Sequence, residues 1–219
     1  MIFSPSNNFD ERTTPIEMLV LHYTGMRTFQ DALDRLRDPE AKVSAHYVID
    51  ETGEIYQLTD EEKRAWHAGV STWRKKTDIN SRSIGIEIVN PGHEFGYTPF
   101  PDEQIKSVID LCQGVISRHN ILSENIVGHS DIAPSRKKDP GELFPWKVLA
   151  ENNIGFWTDE FEQPLLSCEE MLAEIGYDIS DKSAALTAFQ RRFYPQSLQN
   201  NTDKTKERLA AVFRLYKGR

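Results

Sequence analysis

The sequence predicts an α/β fold, in which a central mixed β-sheet is flanked by helices and is followed by a small C-terminal three-helix bundle. Two apolar runs of strand length, at residues 17–24 and 83–90, indicate buried strands. Residues 102–119 carry apolar side chains at helical spacing and indicate a long helix that covers the sheet. Three shorter amphipathic segments end the chain, which favours a helical bundle after the α/β part.

The first elements are expected to follow an irregular lead-in of 15 residues. EMLVLHYT (17–24) is a short apolar run typical of a buried strand. Thr28 is placed to cap a helix that continues to about Asp38. AHYVID (45–50) and EIYQLT (54–59) flank the turn sequence ETG, a pattern typical of a β-hairpin.

The next elements are expected to complete the sheet. SIGIEIVN (83–90) is rich in isoleucine and alternates as a strand does. The long helix of residues 102–119 has Asp102 as its candidate cap. NIVGHSD (125–131) begins as a strand and is expected to end at His129, and LFPWKVLAENN follows as a short helix.

The composition changes near residues 158–166, TDEFEQPLL, which we interpret as a linker. We therefore expect an α/β domain over residues 1–158 and a helical domain over residues 159–219. Ser167 and Glu170 form a Ser-x-x-Glu capping box that predicts the start of the first helix of the bundle. A bundle of this size is only marginally stable unless it docks on a neighbour.

The charge balance and the apolar pattern exclude several classes of partner. The chain has 26 Lys and Arg against 34 Asp and Glu, a net charge of −8, which argues against nucleic acid or an anionic membrane surface. No apolar stretch approaches the roughly 20 residues that a membrane span needs. The chain start lacks the basic and apolar regions of a secretory signal. We expect a cytoplasmic protein, or one of the periplasm or cell envelope if a signal was removed.

Two histidines lie at the ends of predicted strands, where α/β sheets collect ligands. His22 and His129 would face a common cleft there. Two imidazoles and one carboxylate form a zinc site with a fourth position open to water. Asp139 is the natural carboxylate, because the Pro-Gly turn after it would point it back, and Asp131 is the competing candidate. His93 lies in a polar loop, as surface histidines commonly do.

A hydrolytic zinc site also needs a proton acceptor and a group that stabilises negative charge on oxygen. Glu87 lies inside the apolar strand SIGIEIVN, where a carboxylate is costly without a role. The alternative is that Glu87 points to a solvated sheet face. Lys137 lies two residues before Asp139, so in an extended segment both side chains share a side, whereas Lys138 would point away.

Six blocks of the sequence, in this order, resemble the type 2 amidase family of N-acetylmuramoyl-L-alanine amidases. The blocks are LHYTG, SAHYVID, AWHAG, SIGIEIVN, GHSDIAPSRKKDPG and FPW, over roughly residues 17–157. The likeness is greatest to bacterial amidases of anhydro-muropeptides. The resemblance implies the mixed sheet of that family's fold. It also implies hydrolysis of the amide bond between N-acetylmuramic acid, or its 1,6-anhydro form, and L-alanine.

The resemblance also implies a role for each matched residue. Zn²⁺ is expected to be bound by His22, His129 and Asp139. Glu87 matches the general base of the family, and Lys137 matches the lysine that stabilises the oxyanion. Related peptidoglycan recognition proteins and phage amidases have cysteine as the third ligand. Aspartate at this position places the chain on the bacterial branch.

Partners and substrate contacts follow from the same resemblance. We expect peptidoglycan or a muropeptide as the partner and a monomeric chain. Trp66 and His67, in the loop before the strand at residues 83–90, are candidates to line a sugar or peptide groove. His46 is a candidate pocket residue, and Arg82 is a candidate partner for stem-peptide carboxylates.

Two alternatives stay open. A non-catalytic muropeptide-binding protein would need neither Glu87 nor Lys137, and a different zinc hydrolase on the same scaffold is excluded only by the resemblance. The segment IGYDISDKSAALTAFQRRFYP is similar to the type 1 peptidoglycan-binding helical domain. The alternative for that segment is a bundle that stabilises the α/β domain by packing on it.

Overall fold

The computed structural model describes residues 1–198, 200 and 202–218 and confirms a mixed sheet flanked by helices. Its strands are β1 Ile2–Phe3, β2 Phe9–Glu11, β3 Met18–Tyr23, β4 Tyr47–Ile49, β5 Ile55–Gln57, β6 Lys63–Ala65, β7 Ser83–Ile88 and β8 Ile126–Gly128. Its helices are α1 Phe29–Arg37, α2 Ile79–Arg82, α3 Gly92–Phe95, α4 Asp102–His119, α5 His129–Ile132, α6 Trp146–Glu151, α7 Cys168–Ile175, α8 Lys182–Phe193 and α9 Asp203–Lys217. None of these helices is long and apolar enough to cross a membrane.

The main sheet has six strands within the described residues, in the order β1-β5-β4-β7-β3-β8. Strands β4, β7, β3 and β8 are parallel, and the predicted β4–β5 hairpin is antiparallel. A separate pair, β2 and β6, lies outside this sheet. The parallel centre of the sheet is covered on both faces, which explains why β3 and β7 are apolar almost without interruption.

The alternation of side chains assigns the two faces of the sheet. Leu19 and Leu21 of β3 pack in the same apolar cluster as α4 and α6. Met18 and Val20 point to the opposite face, where they share a hydrophobic core with α7, α8 and α9. His22 continues this second series, so it lies on the face that the C-terminal helices cover.

The C-terminal helices follow the predicted order, and the capping box of Ser167 and Glu170 is present. Their apolar side chains do not form an isolated core. Phe189 and Leu209 of the bundle belong to one buried cluster together with Val20 and Trp73 of the α/β part. The bundle therefore docks through a continuous hydrophobic interface.

Several local predictions are corrected by the structure. The lead-in contains β1 and β2, which are too short to produce a recognisable periodicity in the sequence. Helix α4 has Pro101 at its N-cap, so Asp102 is the first helical residue rather than the cap. Strand β8 ends at Gly128, and His129 begins the short helix α5 instead of ending the strand.

Candidate metal centre and active site

Three adjacent parallel strands place the key side chains side by side at one edge of the sheet. His22 of β3 is the direct register partner of Glu87 of β7. On the other side of β3, Leu21 pairs with Gly128, so His129 follows beside His22. Because neighbouring residues in parallel register point to the same face, these three side chains form a row at the carboxyl ends of the strands.

Asp139 completes this row from the loop that follows α5. The loop is tied back to the helix because the Ser130 amide donates to the Asp139 carbonyl at 2.8 Å. The loop then turns at Gly141, whose φ of 89° suits glycine. There the Tyr97 hydroxyl occupies the space that a side chain would need and donates to the Pro140 carbonyl at 2.7 Å. The aspartate is consequently held on a braced loop.

Three candidate ligand atoms converge within this site. His22 Nδ1 lies 2.9 Å from His129 Nδ1 and 3.1 Å from Asp139 Oδ2, and His129 Nδ1 lies 3.0 Å from the same oxygen. A tetrahedral zinc ion with bonds of about 2.0–2.1 Å would set such atoms roughly 3.3–3.4 Å apart. The ligand atoms would therefore need to separate by only a few tenths of an ångström to hold the ion.

Hydrogen bonds behind the two rings determine which nitrogen faces the site. His129 Nε2 lies 3.1 Å from the Ala68 carbonyl, so it carries the proton and leaves Nδ1 as an acceptor. The Ser83 hydroxyl donates to the Ile79 carbonyl at 2.6 Å and can therefore only accept from His67 Nε2, at 3.2 Å.

The same chain of hydrogen bonds continues to the second candidate ligand, His22. Because His67 Nε2 donates to Ser83, His67 Nδ1 accepts from His22 Nε2, at 3.0 Å. His22 Nδ1 is then an acceptor too, so two imidazole lone pairs and a carboxylate oxygen face one another. Three acceptors about 3 Å apart repel unless a cation lies between them. The residues present thus fit a bound metal ion.

The protonation of the candidate ligands agrees with this arrangement. Burial and the adjacent His129 lower the pKa of His22 to about 4, so its ring is neutral at pH 7. Burial would raise the pKa of Asp139, but its close contacts with His129 and His22 outweigh this effect and hold the pKa below its usual value. Neutral imidazoles and an ionised carboxylate are the forms that bind zinc.

Glycine at position 85 makes room for the supporting ring of His67. A Cβ atom at Gly85 would lie 2.6 Å from ring atoms Cδ2 and Nδ1 of His67. We expect Gly85→Ala to displace this ring and to lower zinc affinity roughly 10–100-fold, the usual cost of losing a partner behind a ligand. Chelator competition would measure this affinity.

Gly114→Ala is a matched control for that change, because a Cβ there meets only the end of the flexible Arg118 side chain. We expect Gly114→Ala to leave zinc affinity unchanged. Equal zinc affinity in Gly85→Ala and the parent protein would contradict the role given to His67.

Glu87 is the unpaired carboxylate of the site. Its Oε2 atom is buried and has no hydrogen-bond partner among the described residues, although the side chain as a whole is partly accessible. Burial, and to a smaller degree Asp139, raise the pKa of Glu87 well above its usual value, while Lys137 opposes this shift. Glu87 therefore does not lie on a solvated sheet face. A buried carboxylate with a raised pKa is suited to accept and return a proton.

A cleft of about 630 Å³ opens over these residues, within the size range of small-molecule sites. Glu87, His129 and Asp139 contribute to its lining, and His22 lies beneath them at 1% exposure. Lys137 lines the cleft as predicted, but Lys138 also reaches its rim instead of pointing away. The lysine pair lies in a loop that turns after α5, so strict strand alternation does not apply there.

Comparisons with known proteins show which family the chain belongs to. A family model described as N-acetylmuramoyl-L-alanine amidase matches residues 12–142. The chain belongs to this amidase family. It is 36% identical to the amidase AmiD of Escherichia coli (strain K12), over 89% of this chain and 81% of AmiD. It is 35% identical to the 1,6-anhydro-N-acetylmuramyl-L-alanine amidase AmpD of Haemophilus influenzae, over 65% of this chain and 86% of AmpD.

Solved structures of the amidase family extend the likeness to the C-terminal helices. A complex of E. coli AmiD with the substrate anhydro-N-acetylmuramic acid-L-Ala-D-gamma-Glu-L-Lys is 34% identical, with a TM-score of 0.82. The match covers 95% of this chain and 93% of AmiD. AmpDh3 of Pseudomonas aeruginosa in complex with anhydromuramic pentapeptide is 31% identical, with a TM-score of 0.81 over 95% of this chain and 96% of AmpDh3.

The remaining candidate residues of this amidase-family chain divide into two groups. Trp66 and His67 line the cleft. His46 does not, because it is fully buried and its Nδ1 accepts from the Gly85 amide at 2.9 Å. Arg82 also lies elsewhere and forms a salt bridge of 2.9 Å with Glu17.

His93 is a cleft residue that the sequence pattern did not indicate. Its Nδ1 lies 2.8 Å from the Tyr23 hydroxyl, and its Nε2 lies 3.1 Å from Glu142 Oε2. Its ring also stacks on Tyr97 at 4.5 Å. Its position could have indicated a cleft residue, because His93 follows the predicted strand at residues 83–90 and therefore lies at the same end of the sheet as His22.

Proposed function

We propose that this chain is a zinc-dependent N-acetylmuramoyl-L-alanine amidase that cleaves the bond between N-acetylmuramic acid, or its 1,6-anhydro form, and L-alanine. The observation that carries the proposal is the row of His129, His22 and Glu87 on adjacent strands, closed by Asp139. This row joins a three-ligand metal site to an unpaired, buried carboxylate. A protein that only binds muropeptides without cleaving them would not require that carboxylate.

The chain's own residues supply the proton transfers and the charge stabilisation. Zinc held by His22, His129 and Asp139 would supply Lewis acidity, which lowers the pKa of a coordinated water to about 7. In this proposal Glu87 accepts the proton of the attacking water and returns it to the leaving L-alanine amine. Lys137, which lines the cleft, donates in this proposal to the carbonyl oxygen that gains negative charge.

Two observations support the proposed substrate class. AmiD and AmpDh3 have each been solved with an anhydro-muropeptide bound. The cleft of this chain has the exposed cations Arg35, Arg136 and Lys138 at its edge. We infer that these cations attract the carboxylates of the peptide stem, although the chain as a whole is acidic.

The decisive experiment compares two substrates. The zinc-loaded protein is incubated with soluble anhydro-muropeptides and, separately, with intact sacculi, and the products are identified by mass spectrometry. The amidase would be supported if the parent protein releases free stem peptide from either substrate and the matched Glu87→Gln variant does not. Binding of muropeptide without release would favour the non-catalytic muropeptide-binding protein instead.

Lys137 offers a separate test of the charge-stabilising role. We expect Lys137→Met to lower kcat about 10²-fold, the usual cost of losing one donor to a developing oxyanion, with zinc content unchanged. Steady-state kinetics on an anhydro-muropeptide would measure this. Lys138→Met is the matched control, because Lys138 lies at the rim, and it should change KM more than kcat. A similar loss of kcat in both variants would contradict a specific role for Lys137.

A further inference from the structure

The short helix α5, which begins with the candidate ligand His129, is held from the side of the C-terminal bundle. Asp131 lies two residues after His129 and is 1% exposed. Its Oδ2 accepts from Arg192 Nη1 of α8 at 2.7 Å and from the Gly128 amide at 2.8 Å. Its Oδ1 accepts from the Tyr177 hydroxyl, just after α7, at 2.8 Å. Two residues of the bundle thus bind the helix that positions a ligand.

Arg192 also contacts the strand that precedes α5. Its Nη2 donates to the Ile126 carbonyl of β8 at 3.0 Å, and its guanidinium lies 4.1 Å over the Trp146 ring. One side chain of the bundle therefore joins β8, α5 and α6. Rotation of α5 about its own axis would break the bonds from both Arg192 and Tyr177.

The same four-residue helix, α5, also positions the third candidate ligand, Asp139. The Ser130 amide binds the Asp139 carbonyl, so a shift of α5 would displace His129 and Asp139 together. His22, in contrast, is fixed by the sheet itself. The relative position of the three ligands therefore depends on how α5 is held against β3.

The energetics of a buried ion pair favour a positional role. Desolvation of two charges offsets much of their attraction. Apolar side chains of similar volume would therefore stabilise the docked bundle at least as well as this ion pair. The interface already has an extensive apolar core around Phe189. Arg192 and Asp131, at 2% and 1% exposure, instead favour one orientation, because a shift of α5 would leave these two buried charges without each other.

The segment that resembles a wall-binding module is turned inwards. In AFQRRF the side chains of Phe189, Gln190, Arg191, Arg192 and Phe193 are all buried. These residues are consequently occupied by the bundle core and by the α/β part, not by an external ligand.

We propose that Arg192 and Tyr177 are positioning residues, through which the C-terminal bundle holds α5 and thereby sets the geometry of the metal site. The inference rests on the proposed function, because it takes His22, His129 and Asp139 as the zinc ligands. It makes the bundle a structural part of the catalytic centre.

The test compares Arg192→Met and Tyr177→Phe with Val212→Ala, all in the full-length chain. Val212 is fully buried in the bundle and belongs to its apolar core. Zinc affinity is measured by chelator competition, the ligand field by the visible spectrum of the Co²⁺-substituted protein, and stability by thermal unfolding without metal.

We expect Arg192→Met to lower zinc affinity roughly 10–100-fold and to change the Co²⁺ spectrum, with a smaller effect of Tyr177→Phe in the same direction. Val212→Ala should lower Tm but leave zinc affinity and the spectrum as in the parent. If Arg192→Met fails to fold, the test uses Tyr177→Phe and the conservative variant Arg192→Lys instead. We expect Arg192→Lys to retain part of the zinc affinity that Arg192→Met loses.

The outcomes separate the two proposals. Unchanged zinc affinity and spectrum in the Arg192 and Tyr177 variants, with a parent protein that binds zinc and is active, would overturn only the positioning role. Equal losses in Val212→Ala and Arg192→Met would also overturn it, since any weakening of the bundle would then suffice. A parent protein that binds no zinc would overturn the proposed function together with this inference.

Discussion

Replacing Glu87 by glutamine is expected to lower kcat by at least about 10²-fold while zinc stays bound. General base catalysis contributes typically about 10²–10⁴-fold, and glutamine has nearly the same shape but cannot accept the proton. The ligand residues are untouched, so metal analysis should give the zinc content of the parent. The measurement is kcat on an anhydro-muropeptide, with Glu94→Gln, another glutamate at the cleft, as the control.

A second readout of the same variant follows from the raised pKa of Glu87. A carboxyl group whose pKa is higher in the folded than in the unfolded state contributes stability below its unfolded pKa and loses it as the pH rises through the folded value. The metal-free parent should therefore lose stability relative to Glu87→Gln as the pH rises above about 4.5, the ordinary pKa of a glutamate. Urea unfolding at several pH values would measure this. Full activity of the Glu87→Gln variant would refute the assignment of Glu87 as the general base, whatever the stability of that variant.

Replacing Asp139 by alanine is expected to abolish tight zinc binding and, with it, activity. The change removes one of three ligands and leaves two imidazole lone pairs facing each other 2.9 Å apart. The loss of zinc affinity should exceed the roughly 10–100-fold that follows loss of a partner behind a ligand. Chelator competition would measure the affinity and metal analysis the zinc content.

Asp139→Cys is the informative companion of Asp139→Ala. A thiolate is a strong zinc ligand with a bond of about 2.3 Å, so this variant should regain zinc while the alanine variant does not. Rescue of zinc content by cysteine would show that the position supplies a ligand and not only a braced loop. Normal zinc affinity in Asp139→Ala would instead remove Asp139 from the ligand set.

The sequence was sufficient to predict those site residues that lie at the ends of recognisable strands. His22 and Glu87 lie in an apolar context whose strand character is evident, and parallel strands bring their carboxyl ends together. The choice between Asp139 and Asp131 could not be made that way. Asp131 is occupied by Arg192 and Tyr177, which lie 61 and 46 residues further along the chain.

Other features escaped prediction because they depend on packing between distant segments. His67 supports His22 only because Gly85 leaves space on the neighbouring strand. His46 looks like a pocket residue from its strand, but it faces a buried network that includes Arg12. Periodicity shows which face of a strand is apolar, and it does not show which distant element covers that face.

The hydrophobic interface between the bundle and the sheet has a consequence for how the chain folds and how it can be divided. Met18 and Val20 are at most 1% exposed because Phe189 and its neighbours lie in the same cluster. Removing the last 60 or so residues would leave an apolar sheet face in contact with water, a surface prone to association. We therefore expect the two parts to unfold together as one cooperative unit, and the α/β part to be less stable when the bundle is removed.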